Sequence, residues 1–292
     1  MKTEHLILYR NMEYQNLLEE MDAALETGGM SGDVWSLANQ LIELASKYGF
    51  EGNLWHCFLA LCIANHENAY SISCEIRGQA GGSLDALARE DFAIFKELFD
   101  YDIRSLGGAV WELLSCYRPA QADSRVFNRR IRDRIVNLAV QLEKSRNPGE
   151  FQIHAAEFYR EFGVGKFGLN KAFRIVEREE DHQVVIDPII NVEHVYLKDL
   201  VGYELQKKKL VENTEAFLAG KEANNVLLFG DAGTGKSSSV KAVLNEYYGR
   251  GLRMIEVYKH QFKTLSDVLE QIKDRNYKFI IYMDDLSFED YE

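Results

Sequence analysis

The run Gly230-Asp231-Ala232-Gly233-Thr234-Gly235-Lys236-Ser237 sets three glycines, a lysine and a hydroxyl within eight residues. A polyphosphate needs many donors converging on it, and successive backbone N–H groups in a tight loop supply them as an anion-binding nest. Glycines at 230, 233 and 235 permit the positive φ and the close approach that such a loop requires. Lys236 brings a point charge for the β- and γ-phosphates, and Ser237 brings a hydroxyl for Mg²⁺. A helix starting near Lys236 would turn its N-terminal amides and the positive end of its dipole toward the same anion. The run fits the Walker A pattern, and the candidate nucleotide-binding residues are Gly230, Asp231, Ala232, Gly233, Thr234, Gly235, Lys236, Ser237 and Ser238.

A second set of candidates closes the chain's last apolar run, Phe279-Ile280-Ile281-Tyr282-Met283-Asp284-Asp285. An apolar strand that delivers an acid at its carboxyl end is a Walker B pattern, in which Asp284 would hold Mg²⁺ beside Ser237. Asp285 stands where hydrolytic proteins of this type commonly place a Glu that orients water. Its carboxylate is one methylene shorter and needs a small backbone adjustment to reach that water. The candidate catalytic residues are thus Lys236 and Asp285, and the candidate metal ligands Ser237 and Asp284.

These residues need a strand before the loop, a helix after it and a neighbouring strand for the acid. Residues 226–229, Val-Leu-Leu-Phe, read as a strand buried on both faces. Residues 236–247 read as the helix, ending near Gly249 and Gly251. A strand at 254–258, a helix marked by Leu265, Leu269 and Ile272, and a strand at 279–283 follow, an alternation that predicts a parallel sheet. A further helix is expected over 203–219, stopping at Gly220. Upstream, Val34, Leu37, Leu41, Leu44 and Tyr48, and again Ile131, Ile135, Leu138 and Leu142, recur at helical spacing. Gly28-Gly29, Gly81-Gly82 and Gly107-Gly108 punctuate these segments. The charged run at 177–182 precedes a change of texture, with a short extended segment over 184–186. The expected organisation is a helical N-terminal domain over 1–182 and an α/β P-loop domain of AAA+/ASCE type over 183–292.

Together with Leu200-Val201-Gly202-Tyr203 and the stretch from Asn224 to Gly230, the two motifs make the chain resemble an uncharacterised bacterial family of AAA+-like ATPases, domain-of-unknown-function family 815. The likeness is best over residues 195–292. It implies ATP rather than GTP, self-association, and a place near the adenine for Asp199, Leu200, Val201 and Gly202. Members of the superfamily continue past Walker B with a sensor strand, an arginine finger, a further strand and a helical lid. The α/β domain is accordingly expected to be incomplete at its C-terminus. In the AAA+ sheet the strand after Walker B inserts between the P-loop strand and the Walker B strand, so both are expected to show unpaired edges here. The activity implied is binding of ATP·Mg²⁺, with hydrolysis in the full-length protein and an unknown protein client selected by the helical domain. An ATP-dependent switch or assembly adaptor with little hydrolysis is the alternative, and a small-molecule P-loop kinase a third.

Composition narrows the partners. Against 34 Lys and Arg stand 46 Asp and Glu, a net charge of −12, which disfavours a phosphate backbone as the source of affinity. Cys57, Cys62, Cys74 and Cys116 form no CxxC pair and read as reduced thiols. The N-terminus has no signal-like segment, and no run approaches the ~18 apolar residues of a membrane span. A cytosolic protein is expected. The histidines show no metal-ligand spacing. Arg125, Arg129 and Arg132 read as a solvated helix face, Gly163-Val164-Gly165-Lys166 as a helix-ending turn, and Trp35, Trp55 and Trp111 as helix-packing residues.

Overall fold

A computed structural model describes residues 2–30, 33–119, 128–178, 183–190 and 192–284. The chain divides into two compact units, Met1–Leu169 and Asn170–Glu292.

The first unit is helical: α1 Gln15–Thr27, α2 Val34–Tyr48, α3 Leu54–Asn65, α4 Ala69–Arg77, α5 Gly82–Asp100, α6 Ala109–Ser115, α7 Arg129–Glu143, α8 Pro148–Phe162 and α9 Gly165–Leu169. Its centre is α3, apolar on every side, with Leu54 through Ala64 all buried. A helix without a polar face has to sit inside its neighbours, and α2, α5, α6, α7, α8 and α9 all pack on it. Asx residues start the helices. The side chains of Asp33, Asn53, Asn68, Asn128 and Asn147 each accept from amides of the first turn of α2, α3, α4, α7 and α8, the bonds that open helix ends need. Asn147 is followed by Pro148 at the first helical position, where the missing N–H costs nothing. The segment before α1 is held by one buried carboxylate: Asp91 on α5 accepts from the amides of Ile7 (2.8 Å), Leu8 (2.7 Å) and Tyr9 (3.0 Å). Gly163, at φ 80°, ends α8, as expected of a helix-ending turn. Trp55 and Trp111 lie in this core, but Trp35 is 64% exposed. It is the second residue of α2, on the outer side of that helix, and corrects the expectation that it packs between helices.

The second unit contains β1 Ala172–Glu177, β2 Val184–Pro188, α10 Glu204–Leu218, α11 Lys236–Tyr247, β3 Leu252–Glu256, α12 Leu265–Ile272 and β4 Lys278–Tyr282. The sheet order is β2-β1-β3-β4. β1 runs antiparallel to β2 and parallel to β3, and β3 runs parallel to β4. The expected parallel sheet is therefore mixed. Its antiparallel pair arises because β1 and β2 are joined by a short connection, which can reverse the chain but cannot carry a crossover. β1 also precedes the charged run, in a stretch that sequence reading grouped with the helices.

One face of the sheet, with Ala172, Leu252, Met254, Ile280 and Tyr282, packs against Val240, Val243, Leu244 and Tyr247 of α11 and Leu210, Val211, Phe217 and Leu218 of α10. α12 packs on β2, and Gln271 donates to the Val184 carbonyl at 2.8 Å. β3 is buried on both faces save for Glu256 at its end, as a central strand between helices should be. The expected strand at 226–229 is absent from the sheet. Leu227 is 73% and Phe229 88% exposed, and no strand lies beside this apolar run among the described residues.

β3 and β4 are tied at their start by a buried cation. The Arg253 guanidinium lies 4.1 Å from the Tyr248 ring and 4.2 Å from the Tyr277 ring. Its Nη1 donates to the carbonyls of Tyr248 (3.2 Å) and Leu252 (2.9 Å). Only a planar guanidinium can stack between two rings while bonding at its edge. Replacing Arg253 with Ala removes both stacking contacts and both charged bonds, an expected cost of about 3 kcal/mol. Amide hydrogen exchange should accelerate at residues 252–256 and 278–282. Tryptophan fluorescence, whose sources Trp35, Trp55 and Trp111 all lie in the other unit, should keep its unfolding transition.

Candidate functional site

The glycine loop leads directly into α11. Gly230 (φ 138°), Gly233 (φ 76°) and Gly235 (φ 83°) all take left-handed backbone conformations, which glycine adopts without steric cost. Gly235 is the N-cap residue of α11 and no side chain caps that terminus. The first amides of α11 therefore have no side-chain acceptor, and the positive end of the helix faces the loop. Thr234 Oγ1 donates to the Asp231 carbonyl at 2.8 Å and pins the loop's turn. Residues 230–233 are exposed, while Thr234 through Ser238 are half-buried.

Lys236 is folded over the loop. Its Nζ donates to the carbonyls of Gly230 (2.9 Å) and Asp231 (2.8 Å), so the charge lies across the concave side where an anion would sit. Ser237 Oγ donates toward both oxygens of Asp284, at 3.1 and 3.2 Å. This is the link between the two motifs. β4 runs beside β3 in register, with Glu256 opposite Tyr282, and Val257 N bonds to the Tyr282 carbonyl at 2.9 Å. The chain leaving β4 is thus held until it delivers Asp284 to the first turn of α11. A hydroxyl and a carboxylate converging on one point are hard oxygen donors, the set that suits Mg²⁺. Asp285, the candidate for orienting water, lies outside the described residues, as does Arg125.

Two charged groups that the motifs do not name flank this pair. Glu256 ends β3; burial raises its carboxyl above the usual range, against the charge of Lys241 and with a further push from Asp284. Lys241, one turn beyond Ser237 on α11, pairs with Glu193 at 3.2 Å. Asn245 on the same helix donates to the carbonyls of Glu193 (2.8 Å) and Val195 (2.7 Å). These bonds fasten the segment before α10 along α11. The turn at Leu197–Asp199 packs on α11 as well. In the segment proposed to approach the adenine, Tyr196 N donates to Asp199 Oδ2 at 2.9 Å. Leu200 accepts from Lys207 Nζ at 2.8 Å, Val201 is 94% exposed and Gly202 has φ 82°. Lys241 and Asn245 carried no motif, and only their helical spacing from Ser237 placed them on this helix. Asn213 on α10 clips the entry to the loop, exchanging two bonds with the backbone of Asn224 at 2.8 and 2.9 Å.

Comparison with known proteins falls on the unit that carries this site. Residues 169–292 match the family described as "Protein of unknown function (DUF815)". The chain is also 36% identical over 73 residues to the replication factor C large subunit of Staphylothermus marinus, a match covering 25% of this chain and 16% of that protein. No solved structure matches. Among the described residues no helix is long and apolar enough to cross a membrane.

Gly235 separates binding from folding. A Cβ there would meet nothing within 4 Å, so Gly235→Ala is opposed only by its φ of 83°, a cost of about 1–2 kcal/mol. The variant should fold with a slightly lower melting temperature, while its affinity for ATP falls at least about tenfold as the loop shifts to a permitted φ. A titration of fluorescent ATP analogue checks this.

Proposed function

We propose that this chain binds ATP·Mg²⁺ as an AAA+-like P-loop module. The observation that carries the reading is the Ser237–Asp284 contact, which joins a glycine loop at a helix N-terminus to an acid delivered by a neighbouring parallel strand. The likeness to the replication factor C large subunit supports it. So does the parallel pairing of β3 with β4, which brings the acid beside the helix that follows the loop.

In this reading, backbone amides 231–237 and Lys236 hold the phosphates, Lys236 exchanging its two carbonyl acceptors for phosphate oxygens. Ser237 and Asp284 hold the cation. Mg²⁺, when bound, neutralises charge on the phosphates and fixes their orientation. Asp285 orients the attacking water, and Asp199, Leu200, Val201 and Gly202 border the base. The module hydrolyses ATP, self-associates and acts on a protein client chosen through the helical unit. A nucleotide-dependent switch that hydrolyses little is favoured by one observation, the short Asp285 where a Glu is common. Steady-state phosphate release separates the two.

The joint site is tested by measuring ATP affinity with and without Mg²⁺ on the parent and on Asp284→Asn. The parent should gain at least about tenfold in affinity from Mg²⁺ and the variant should lose most of that gain, since a neutral amide forfeits a charge-assisted bond. A parent whose ATP affinity is indifferent to Mg²⁺ would overturn the reading.

A further inference from the structure

The helical unit contains a cleft of about 440 Å³ where α4, α5 and α8 meet, within the size range of small-molecule sites. Tyr70 of α4 and Gln152 of α8 are buried at its wall. Ile153 and Ala156, three apart on α8, give it an apolar side. Asp85 and Arg89 line it from α5. Opposite charges four apart on a helix ordinarily close on each other, but here Gln152 reaches across from α8 and holds Arg89 by its stem. The Gln152 Oε1 accepts from Arg89 Nε, and its Nε2 donates to the Asp85 carbonyl, both at 3.1 Å. Both Nη groups of Arg89 and the whole Asp85 carboxylate are left without a hydrogen bond or ion pair among the described residues.

The Asp85 charge is felt at the inner wall. Burial raises the Cys74 thiol of α4 to about 11, with Asp85 adding to the rise and bonds to Tyr70 and Ala80 opposing it. Glu150, also on the rim, is already engaged: it accepts from the Arg146 amide at 2.9 Å and faces Arg146 Nε at 3.7 Å. The cleft therefore offers one open cation and one open anion, a helical turn apart, beside apolar surface. A simple anion would meet Asp85, and a simple cation would meet Arg89. A zwitterion satisfies both, and an α-amino acid carries its two charges on a single carbon, close enough for one turn to bracket. We propose that this cleft binds a free α-amino acid with an apolar side chain. Arg89 takes the carboxylate with its two Nη groups, Asp85 takes the ammonium, and the side chain lies against Tyr70, Ile153 and Ala156. The site stands apart from the nucleotide loop, in the unit that the matched family, residues 169–292, does not reach.

Calorimetric titration of the chain with L-leucine, N-acetyl-L-leucine and L-leucinamide tests this. Leucine should bind at least about tenfold more tightly than either derivative, because each lacks one charge and forfeits one charge-assisted contact. Asp85→Asn is isosteric and breaks no bond of the carboxylate. It should keep the melting temperature and remove the preference for leucine over the N-acetyl form. Arg89→Met keeps the stem, drops the guanidinium and should remove the preference over the amide. Leucine that fails to bind the folded parent, or binds no more tightly than one of the derivatives, overturns the inference. So does a preference that survives the matching substitution.

Discussion

The arrangement rests on the parallel register of β3 and β4. Five paired positions, from Leu252 with Lys278 to Glu256 with Tyr282, fix where β4 ends. The residue two beyond that end is Asp284, and the residue two beyond the left-handed Gly235 is Ser237. Because a one-residue slip reverses every side chain of a strand, such a slip would turn Asp284 away from α11. The Arg253 clamp between Tyr248 and Tyr277 holds the register at its far end, where β3 and β4 begin.

The local parts of the site were legible in the sequence. The three glycines, the lysine and the hydroxyl follow from loop and helix geometry alone, and α11, β3 and β4 fall within a few residues of their expected places. What the sequence concealed depends on partners far along the chain. β1, Ala-Phe-Arg-Ile-Val-Glu, pairs with the nearby β2 on one side and with the distant Met254, Ile255 and Glu256 on the other, and the second neighbour cannot be read from the local sequence. The apolar run at 226–229 was read as buried because composition alone suggests it, but burial needs a neighbour, and none of the described strands lies there. Trp35 misled in the same way, since a large aromatic beside a helix cap has a free choice of side.

Electrostatics organise the remainder. The second unit brings the acids Glu256 and Asp284 within reach of one another and of Lys241 on α11. The loop holds its lysine on its own carbonyls, which satisfy two of the ammonium's three donors. Asn245 and Lys241 fasten the segment before α10 to α11, the same helix whose Ser237 meets the acid. In the helical unit, polar bonds such as those of Asp91 are spent on holding its own backbone, and the open charges of Asp85 and Arg89 stand apart from them.

The central claim is that the loop and α11 form a working phosphate site, and Lys236 tests it most directly. Calorimetric titration of ATP·Mg²⁺ into the parent and into Lys236→Ala should show binding by the parent and a loss of at least about tenfold in the variant, the share of one charge-assisted contact. Equal affinity in the two, or no binding by a folded parent, would contradict the assignment.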